Sequence, residues 1–181
     1  MRIKFLIILF IGFSSALYTQ NKIISDVIIE GNQKTKIDFI TSLLLTKKGQ
    51  QLDSVRLEKD MVQLKRLAAL SHAYYQVNSI NESNCIIKVY VEENFTVIPE
   101  VNFWTFTNNQ FSYRLGVYDY NFLGRNIAFG GFYQFNGFDT YAINFRAPNL
   151  FSNKWGLAIN HQNWKSEEPL FFNNSSANYY L

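Results

Sequence analysis

The chain has 181 residues, among them 17 Phe, 11 Tyr and 3 Trp but only 3 Pro and one Cys. This length allows one or two domains, and the formal net charge of +3, with Lys and Arg scattered through both halves, is too small to indicate nucleic-acid binding. The single cysteine, Cys85, excludes an internal disulfide. The aromatic residues are concentrated in the second half, which is typical of the interfacial girdles of membrane β-barrels.

The N-terminus has the pattern of a secretory signal peptide, which we assign to residues 1–20. Arg2 and Lys4 precede an apolar run over residues 5–13, and small residues follow at 14–16, as a cleavage site requires. The run is about half of the roughly 20 residues that a membrane helix needs, so an uncleaved anchor is the less favoured alternative. Export of a barrel-patterned chain indicates a Gram-negative-type outer membrane.

Residues 21–93 have the pattern of a small α+β domain. A β-branched strand over residues 23–30 ends at a Gly-Asn turn. A first helix is predicted over residues 36–45, because apolar residues recur there at helical spacing. Thr35 and Asp38, three positions apart, predict a capping box in which Asp replaces the usual Glu.

A second helix and two strands complete this domain. Asp53 is predicted to cap the helix, and strands are predicted over residues 74–80 and 84–92. Cys85 falls on the apolar face of the last strand, so we expect a buried core residue and not a nucleophile. The predicted apolar stripe of the helix consists of Leu57, Met61, Leu64 and Ala68.

The β-α-α-β-β order resembles a polypeptide-transport-associated (POTRA) domain. The resemblance rests on residues 27–32 (VIIEGN), which enter the first helix, and on residues 49–53 (GQQLD), which lie between the helices. The chain departs from the family at residues 71–75 (SHAYY), where the family usually has a Gly-Tyr-Phe type sequence. The resemblance implies a periplasmic docking domain.

Residues 94–181 have the two-residue period of a membrane β-barrel wall. Side chains with rings or aliphatic groups alternate there with small or polar ones, as lipid outside and water inside require. Arg114 and Arg146 fall on the polar face, and we expect both to face the lumen, because Arg at the lipid midplane costs about 2–4 kcal/mol. A soluble β-sandwich also alternates and is the alternative. Strands are predicted over residues 95–106, 110–119, 126–137, 139–147 and 154–164.

Two turns of this region resemble turns of the outer-membrane protein assembly (bacterial surface antigen) family. Residues 117–126 (VYDYNFLGRN) resemble its early barrel hairpin, in which Asp119, Asn121 and Gly124 shape the turn. Residues 146–151 (RAPNLF) are similar to its next turn, on the opposite rim. The resemblance implies a 16-stranded barrel that inserts or translocates β-rich proteins, with outer-membrane lipid, unfolded β-barrel clients and periplasmic lipoproteins as partners.

Pro99 lies within the first predicted wall strand. Proline is tolerated mainly on an edge strand, because it removes a hydrogen-bond donor from the ladder. In the family that this region resembles, the first strand is one side of a seam that opens laterally, which a weakly paired strand suits. The favoured alternative is that Pro99 marks the end of a linker.

About five strands do not close a barrel, since single-chain bacterial barrels start at about eight. An open edge in lipid leaves unpaired N–H and C=O groups that each cost several kcal/mol. We therefore expect a truncated or partial product, or a chain that pairs with other strands.

We expect no enzyme, cofactor or metal site. His72 and His161 are isolated in the sequence, and Glu92 and Glu93 are expected to be solvated charges at a strand end. No nucleophile, base and orienting group can be assembled from them, and no metal-ligand spacing is present.

The leading hypothesis is an outer-membrane assembly protein, or a fragment of one, that docks and inserts β-barrel clients. Its first domain would bind an extended client segment by strand addition. The alternatives are a two-partner-secretion or passive channel barrel, and a soluble periplasmic binding module. The predicted client-binding edge consists of Tyr75, Gln76, Val77, Asn78 and Ser79.

Overall fold

The computed structural model describes the backbone in five ranges, together with most side chains up to residue 165. These ranges are residues 22–105, 110–152, 155–165, 167–172 and 175–180, and the side chains of 151–152 and of 167–180 are not described. The predicted signal peptide lies outside the described residues, as do the predicted strand ends at residues 106 and 154.

The first domain is a three-stranded sheet with two helices packed on one face. Its central strand is β3, which runs parallel to β1 and antiparallel to β2. The order is the predicted β-α-α-β-β. The elements are β1 (Ile23–Glu30), α1 (Ile37–Leu43), α2 (Ser54–Leu64), β2 (Leu70–Ser79) and β3 (Asn84–Glu93).

The core lies between the helices and the inner face of this sheet. Every second residue of β3 is buried there, and Cys85 is fully buried as predicted. Each fully buried aliphatic side chain contributes about 1.5–3 kcal/mol relative to an exposed one. The predicted stripe of α2 is correct for Leu57, Met61 and Leu64 but wrong for Ala68, which lies beyond the end of the helix and is exposed.

The two helices begin differently. α2 begins as predicted, with the Asp53 side chain accepting a hydrogen bond from Arg56 N at 3.1 Å. The capping box predicted for α1 is wrong: its N-cap is Lys36, which makes no side-chain cap. Thr35 is instead turned toward the second half of the chain, where its hydroxyl accepts a hydrogen bond from Asn121. Within the described ranges no helix is long and apolar enough to cross a membrane.

The second half is a five-stranded antiparallel sheet followed by a separate hairpin. The predicted number of wall strands is confirmed, and neighbouring strands pair in chain order. β9 (Glu167–Phe172) and β10 (Ser175–Tyr180) form the hairpin. The sheet consists of β4 (Val97–Thr105), β5 (Phe111–Phe122), β6 (Ile127–Phe135), β7 (Asp139–Ser152) and β8 (Trp155–Asn163).

The turn predicted at residues 146–151 is wrong, because β7 continues through Pro148 to Ser152. Pro148 lies where the β7–β8 pairing is irregular, between Ala147 and Ser152, so its missing N–H interrupts little of the ladder. The segment is also not on the opposite rim. Arg146 pairs with Ala128, which places it at the same end of the sheet as the β5–β6 turn.

Pro99 is the third residue of β4, so the linker interpretation of Pro99 is wrong. β4 pairs only with β5 among the described strands and is therefore an edge strand, where proline is tolerated.

The two faces of the five-stranded sheet have opposite character. Part of the polar face is covered: Ser112, Gln134 and Thr140 are at most 5% exposed. The other face exposes rings and aliphatic side chains, which is the arrangement of a wall with lipid outside. Its exposed members include Phe111, Leu115, Val117, Phe129, Tyr133, Tyr141, Ile143, Leu157 and Ile159.

The loop after α1 depends on one buried carboxylate. Asp60, 1% exposed, accepts hydrogen bonds from Leu45 N at 2.6 Å and Thr46 N at 2.9 Å. We predict that Asp60→Ala lowers the local free energy of unfolding by about 2 kcal/mol or more, because a buried donor without a partner costs about 1–3 kcal/mol. Hydrogen exchange over residues 22–94 of the full chain measures this. Asp60→Asn keeps one acceptor oxygen, so its exchange protection should fall between those of the native chain and Asp60→Ala. Protection in Asp60→Ala equal to that of the native chain would contradict the prediction.

Candidate functional site

The residues predicted to bind a client strand lie on an open edge of the first domain. β2 pairs with β3 on one side and with no described strand on the other. Gln76, Val77, Asn78 and Ser79 are exposed. Tyr75 is only half exposed, because its side chain packs toward the helices and its hydroxyl donates to Glu58 at 3.0 Å. Burial, followed by the contact with Glu58, raises the pKa of Tyr75.

The direction of the backbone groups on β2 follows from its hairpin. Ile80 N donates to Asn84 O at 3.0 Å, so the N–H of Ile80 points toward β3. Successive residues of an antiparallel strand point their N–H groups to alternate sides. The N–H groups of Tyr75, Val77 and Ser79 therefore point to the open edge. Whether this edge binds clients stays a prediction.

The edge strand of the second sheet is held by a network on the polar face. Arg114 donates to Gln134 Oε1 at 2.9 Å and pairs with Glu100 at 3.2 Å, which links β4, β5 and β6. Its guanidinium also lies 4.0 Å from the centre of the Phe132 ring. Arg114 and Arg146 both lie on the polar face; that this face lines a lumen stays a prediction.

The predicted turn residues lie against the first domain, which the sequence did not indicate. We call residues 31–36 the docking loop and residues 119–126 the rim turn. Lys34 Nζ lies 2.9 Å from both carboxylate oxygens of Asp119 and donates to Thr96 Oγ1 at 3.1 Å. The Lys34 side chain is 41% exposed, so this ion pair alone contributes no more than about 1 kcal/mol.

Asn121 and Thr35 form the buried part of this contact, and each is 1% exposed. Asn121 Nδ2 donates to Thr35 Oγ1 at 2.9 Å, while Asn121 Oδ1 accepts from Asn126 N at 2.9 Å. Separation of the two halves would leave Asn121 Nδ2 and Thr35 Oγ1 without each other as partners, whereas the Asn126–Asn121 bond lies within the rim turn and would remain. If water did not replace them, each would cost about 1–3 kcal/mol.

Gly124 brings the two backbones together. Lys36 N donates to Gly124 O at 2.9 Å. A Cβ atom at Gly124 would lie 2.2 Å from Lys34 O, and the residue has φ +69°. Both the close approach and the left-handed backbone therefore require glycine here.

Glu93 holds the docking loop from the side of β3. Its carboxylate accepts hydrogen bonds from the backbone N–H groups of Gln33 (2.9 Å), Lys34 (3.0 Å) and Thr35 (2.7 Å). Burial opposes ionisation, but these bonds outweigh it and lower the pKa of Glu93. The expectation of a solvated charge at Glu93 is therefore wrong.

The connection between the two halves is short and anchored. Only residues 94–96 separate β3 from β4. Asn94 N donates to Ala69 O at 2.9 Å, and Asn94 Nδ2 donates to Ala68 O at 3.1 Å. Ala69 N in turn donates to Asn126 Oδ1 of the rim turn at 3.3 Å. The junction between the two halves therefore consists of contacts from the docking loop, from the connection at residues 94–96 and from the segment after α2.

Comparison with known proteins identifies the first domain. Residues 22–94 match the family model described as POTRA, surface antigen variable number repeat. The first domain therefore matches the POTRA family model over its whole length, and we call it the POTRA domain. No curated protein sequence matches the chain.

Two solved structures show the fold of the POTRA domain together with the strands after it. The first is a crystal structure of BamA from Haemophilus ducreyi lacking POTRA domains 1-3, with TM-score 0.66 and 15% identity over 82% of this chain and 28% of that chain. The second is CdiB from Acinetobacter baumannii, with TM-score 0.56 and 11% identity over 89% of this chain and 32% of that chain. This chain therefore spans less than a third of either structure. The predicted fold class, a POTRA-like domain followed by part of a barrel sheet, is confirmed.

We predict that Gly124→Ala opens the contact between the POTRA domain and the rim turn, because the new methyl group would overlap Lys34 O. The matched control is Gly49→Ala, since Gly49 has φ +82° but no atom within 4 Å of its would-be Cβ. Both variants bear the left-handed strain of about 1 kcal/mol. Only Gly124→Ala should accelerate protease cleavage near residues 94–96. Equal cleavage in the two variants would contradict the prediction.

We predict that acid loosens the docking loop through Glu93. A lowered pKa means that the stabilising contribution is complete above the unfolded pKa, about 4.3, and is lost as the pH falls through the lower folded value. Exchange protection of the Lys34 and Thr35 amides, corrected for intrinsic rates, should fall over that window. Glu93→Gln should lose most of this pH dependence, whereas Glu92→Gln, whose side chain is 74% exposed, should keep it. The same pH profile in Glu93→Gln as in the native chain would refute this role.

Proposed function

We propose that this chain belongs to an outer-membrane protein that docks and inserts unfolded β-rich client proteins. The observation that carries the proposal is that, among the described strands, β2 in the POTRA domain and β4 in the wall are both edge strands and lie on either side of one anchored junction. We propose a binding and assembly role without catalysis or a cofactor.

In this proposal the POTRA domain lies in the periplasm and captures an extended client segment at β2. The outward N–H and C=O groups of Tyr75, Val77 and Ser79 would pair with the client backbone. Main-chain pairing needs little sequence preference, which suits a protein that handles many clients.

The wall then receives the strand at β4. An unpaired edge in lipid costs several kcal/mol per backbone group, so β4 must pair with another strand when the sheet lies in the membrane. That partner would be a closing strand, from a longer chain or from another molecule, or an incoming client strand. Pro99 deprives this edge of one donor and so favours exchange between partners. Outer-membrane lipid would cover the apolar face, and periplasmic lipoproteins are further proposed partners.

A second candidate is secretion of a client through the barrel, as in two-partner secretion. The likeness to CdiB supports it, because that structure matches 89% of the chain. Reconstitution in liposomes separates the two: insertion leaves a client band in the membrane that is heat-modifiable, whereas secretion delivers a protected client to the interior.

The proposed function predicts that Val77→Pro weakens binding of an extended, uncharged client peptide to the full chain by tenfold or more. The substitution removes an outward N–H but no bond to β3, so the sheet should remain folded. Val77→Thr keeps the N–H and the β-branched shape, and it should bind as the native chain does. Fluorescence anisotropy measures binding, and hydrogen exchange of β3 checks the fold. Unchanged binding by a folded Val77→Pro variant would exclude β2 as the client edge.

A further inference from the structure

A cleft of about 410 Å³ lies where the end of α2 meets the polar face of the second sheet. Gln63 and Arg66 contribute to it from the POTRA domain. Tyr120, Asn126, Arg146 and Asn149 contribute to it from β5, the rim turn and β7. The cleft is thus built by both domains and opens on the face away from the exposed apolar side chains.

Two arginines line this cleft, and no acidic residue lines it with them. Arg56, Arg114 and Arg125 each have a carboxylate partner. Within the part of the chain that the structure describes, the guanidinium groups of Arg66 and Arg146 have neither a hydrogen bond nor an ion pair. No Asp or Glu lines the cleft.

Asn126 adds a third donor to the cleft. Its Oδ1 accepts from Ala69 N at 3.3 Å, which fixes the amide orientation and leaves the NH2 group free to donate to a ligand. Its backbone N donates to Asn121 Oδ1, so the residue is held by the junction itself. Arg66, Arg146 and Asn126 thus present donors to the cleft, and two of the three are cationic.

The rest of the lining is largely apolar. Leu67 and Ala68 contribute from the segment after α2, and Ala128 and Pro148 contribute from the sheet. These apolar side chains suit the methylene groups of a long acidic side chain.

We propose that this cleft binds the carboxylate of an acidic side chain on an extended polypeptide segment, held between Arg66 and Arg146. The inference rests on the proposed function, which supplies the polypeptide. A carboxylate matches the planar guanidinium, which can bind both of its oxygens. The polar side of the sheet, on which the cleft opens, is not the side suited to lipid, so a peptide is favoured over a lipid headgroup.

The test compares two peptides that differ only in charge. One is a ten-residue peptide of alternating Val and Thr with two Glu at the centre, and the matched peptide has Gln at those positions. Binding to the full chain in neutral detergent micelles at low salt is measured by fluorescence anisotropy. The Glu peptide should bind about tenfold more tightly than the Gln peptide, and the difference should shrink as salt is raised.

Three charge-neutralising variants locate the effect. Arg66→Gln and Arg146→Gln should each remove most of the preference for the Glu peptide and leave binding of the Gln peptide unchanged. Lys65→Gln is the matched control, because Lys65 is exposed and adjacent but does not line the cleft. The Lys65→Gln variant should keep the preference.

Several outcomes overturn the inference. Equal binding of the two peptides excludes a specific carboxylate site. A loss of the preference for the Glu peptide in Lys65→Gln as large as that in Arg66→Gln also excludes it. If that equal binding is abolished by Val77→Pro, the cleft proposal fails and the proposed function stands; if neither peptide binds, both fail. Arg146-dependent binding of inorganic phosphate or phosphatidylglycerol micelles at lower concentration than the Glu peptide would show a phosphate site instead.

Discussion

The contact between the docking loop and the rim turn determines how the two halves of the chain work together. Its centre is a close approach of two backbones at Gly124, which no side chain permits, flanked by the buried Asn121–Thr35 hydrogen bond. The partly exposed Lys34–Asp119 pair adds little energy. Both open edges and the arginine cleft take their positions from this contact.

The wall inverts the usual arrangement of a soluble sheet. Part of its polar face is covered by the sheet's own longer side chains, among them Arg114 stacked on Phe132, while rings and aliphatic groups face outward. Such a face is stable only against lipid or another apolar surface. Every backbone group in lipid needs a partner, so the energetics of this half centre on β4 and β8, the two edge strands of the described sheet.

Local patterns in the sequence predicted most elements, and contacts distant in the sequence account for the errors. Asp53 caps the helix that begins at the next residue and bonds an N–H group three residues later, so its role could be predicted from the local sequence. Thr35 had the spacing of a capping box, yet its hydroxyl bonds Asn121, 86 residues later. Glu93 ends a strand, as solvated charges often do, but the docking loop folds over it. Asp119, Asn121 and Gly124 were recognised as turn residues; their contact with the POTRA domain required the tertiary structure.

The anchored connection between β3 and β4 also has a kinetic meaning. Residues 93 and 97 are four peptide units apart, so the ends of the two strands are within about 14 Å of each other even if the connection is fully extended. A client held at residues 75–79 of β2, which pair with residues 85–89 of β3, is therefore tethered roughly 13–27 Å along the strand from the end of β3 that leads to β4. Its second pairing becomes intramolecular, at an effective concentration that short tethers raise to the millimolar range. Weak binding of the client at β2 is then sufficient, because the high effective concentration favours its second pairing, with β4.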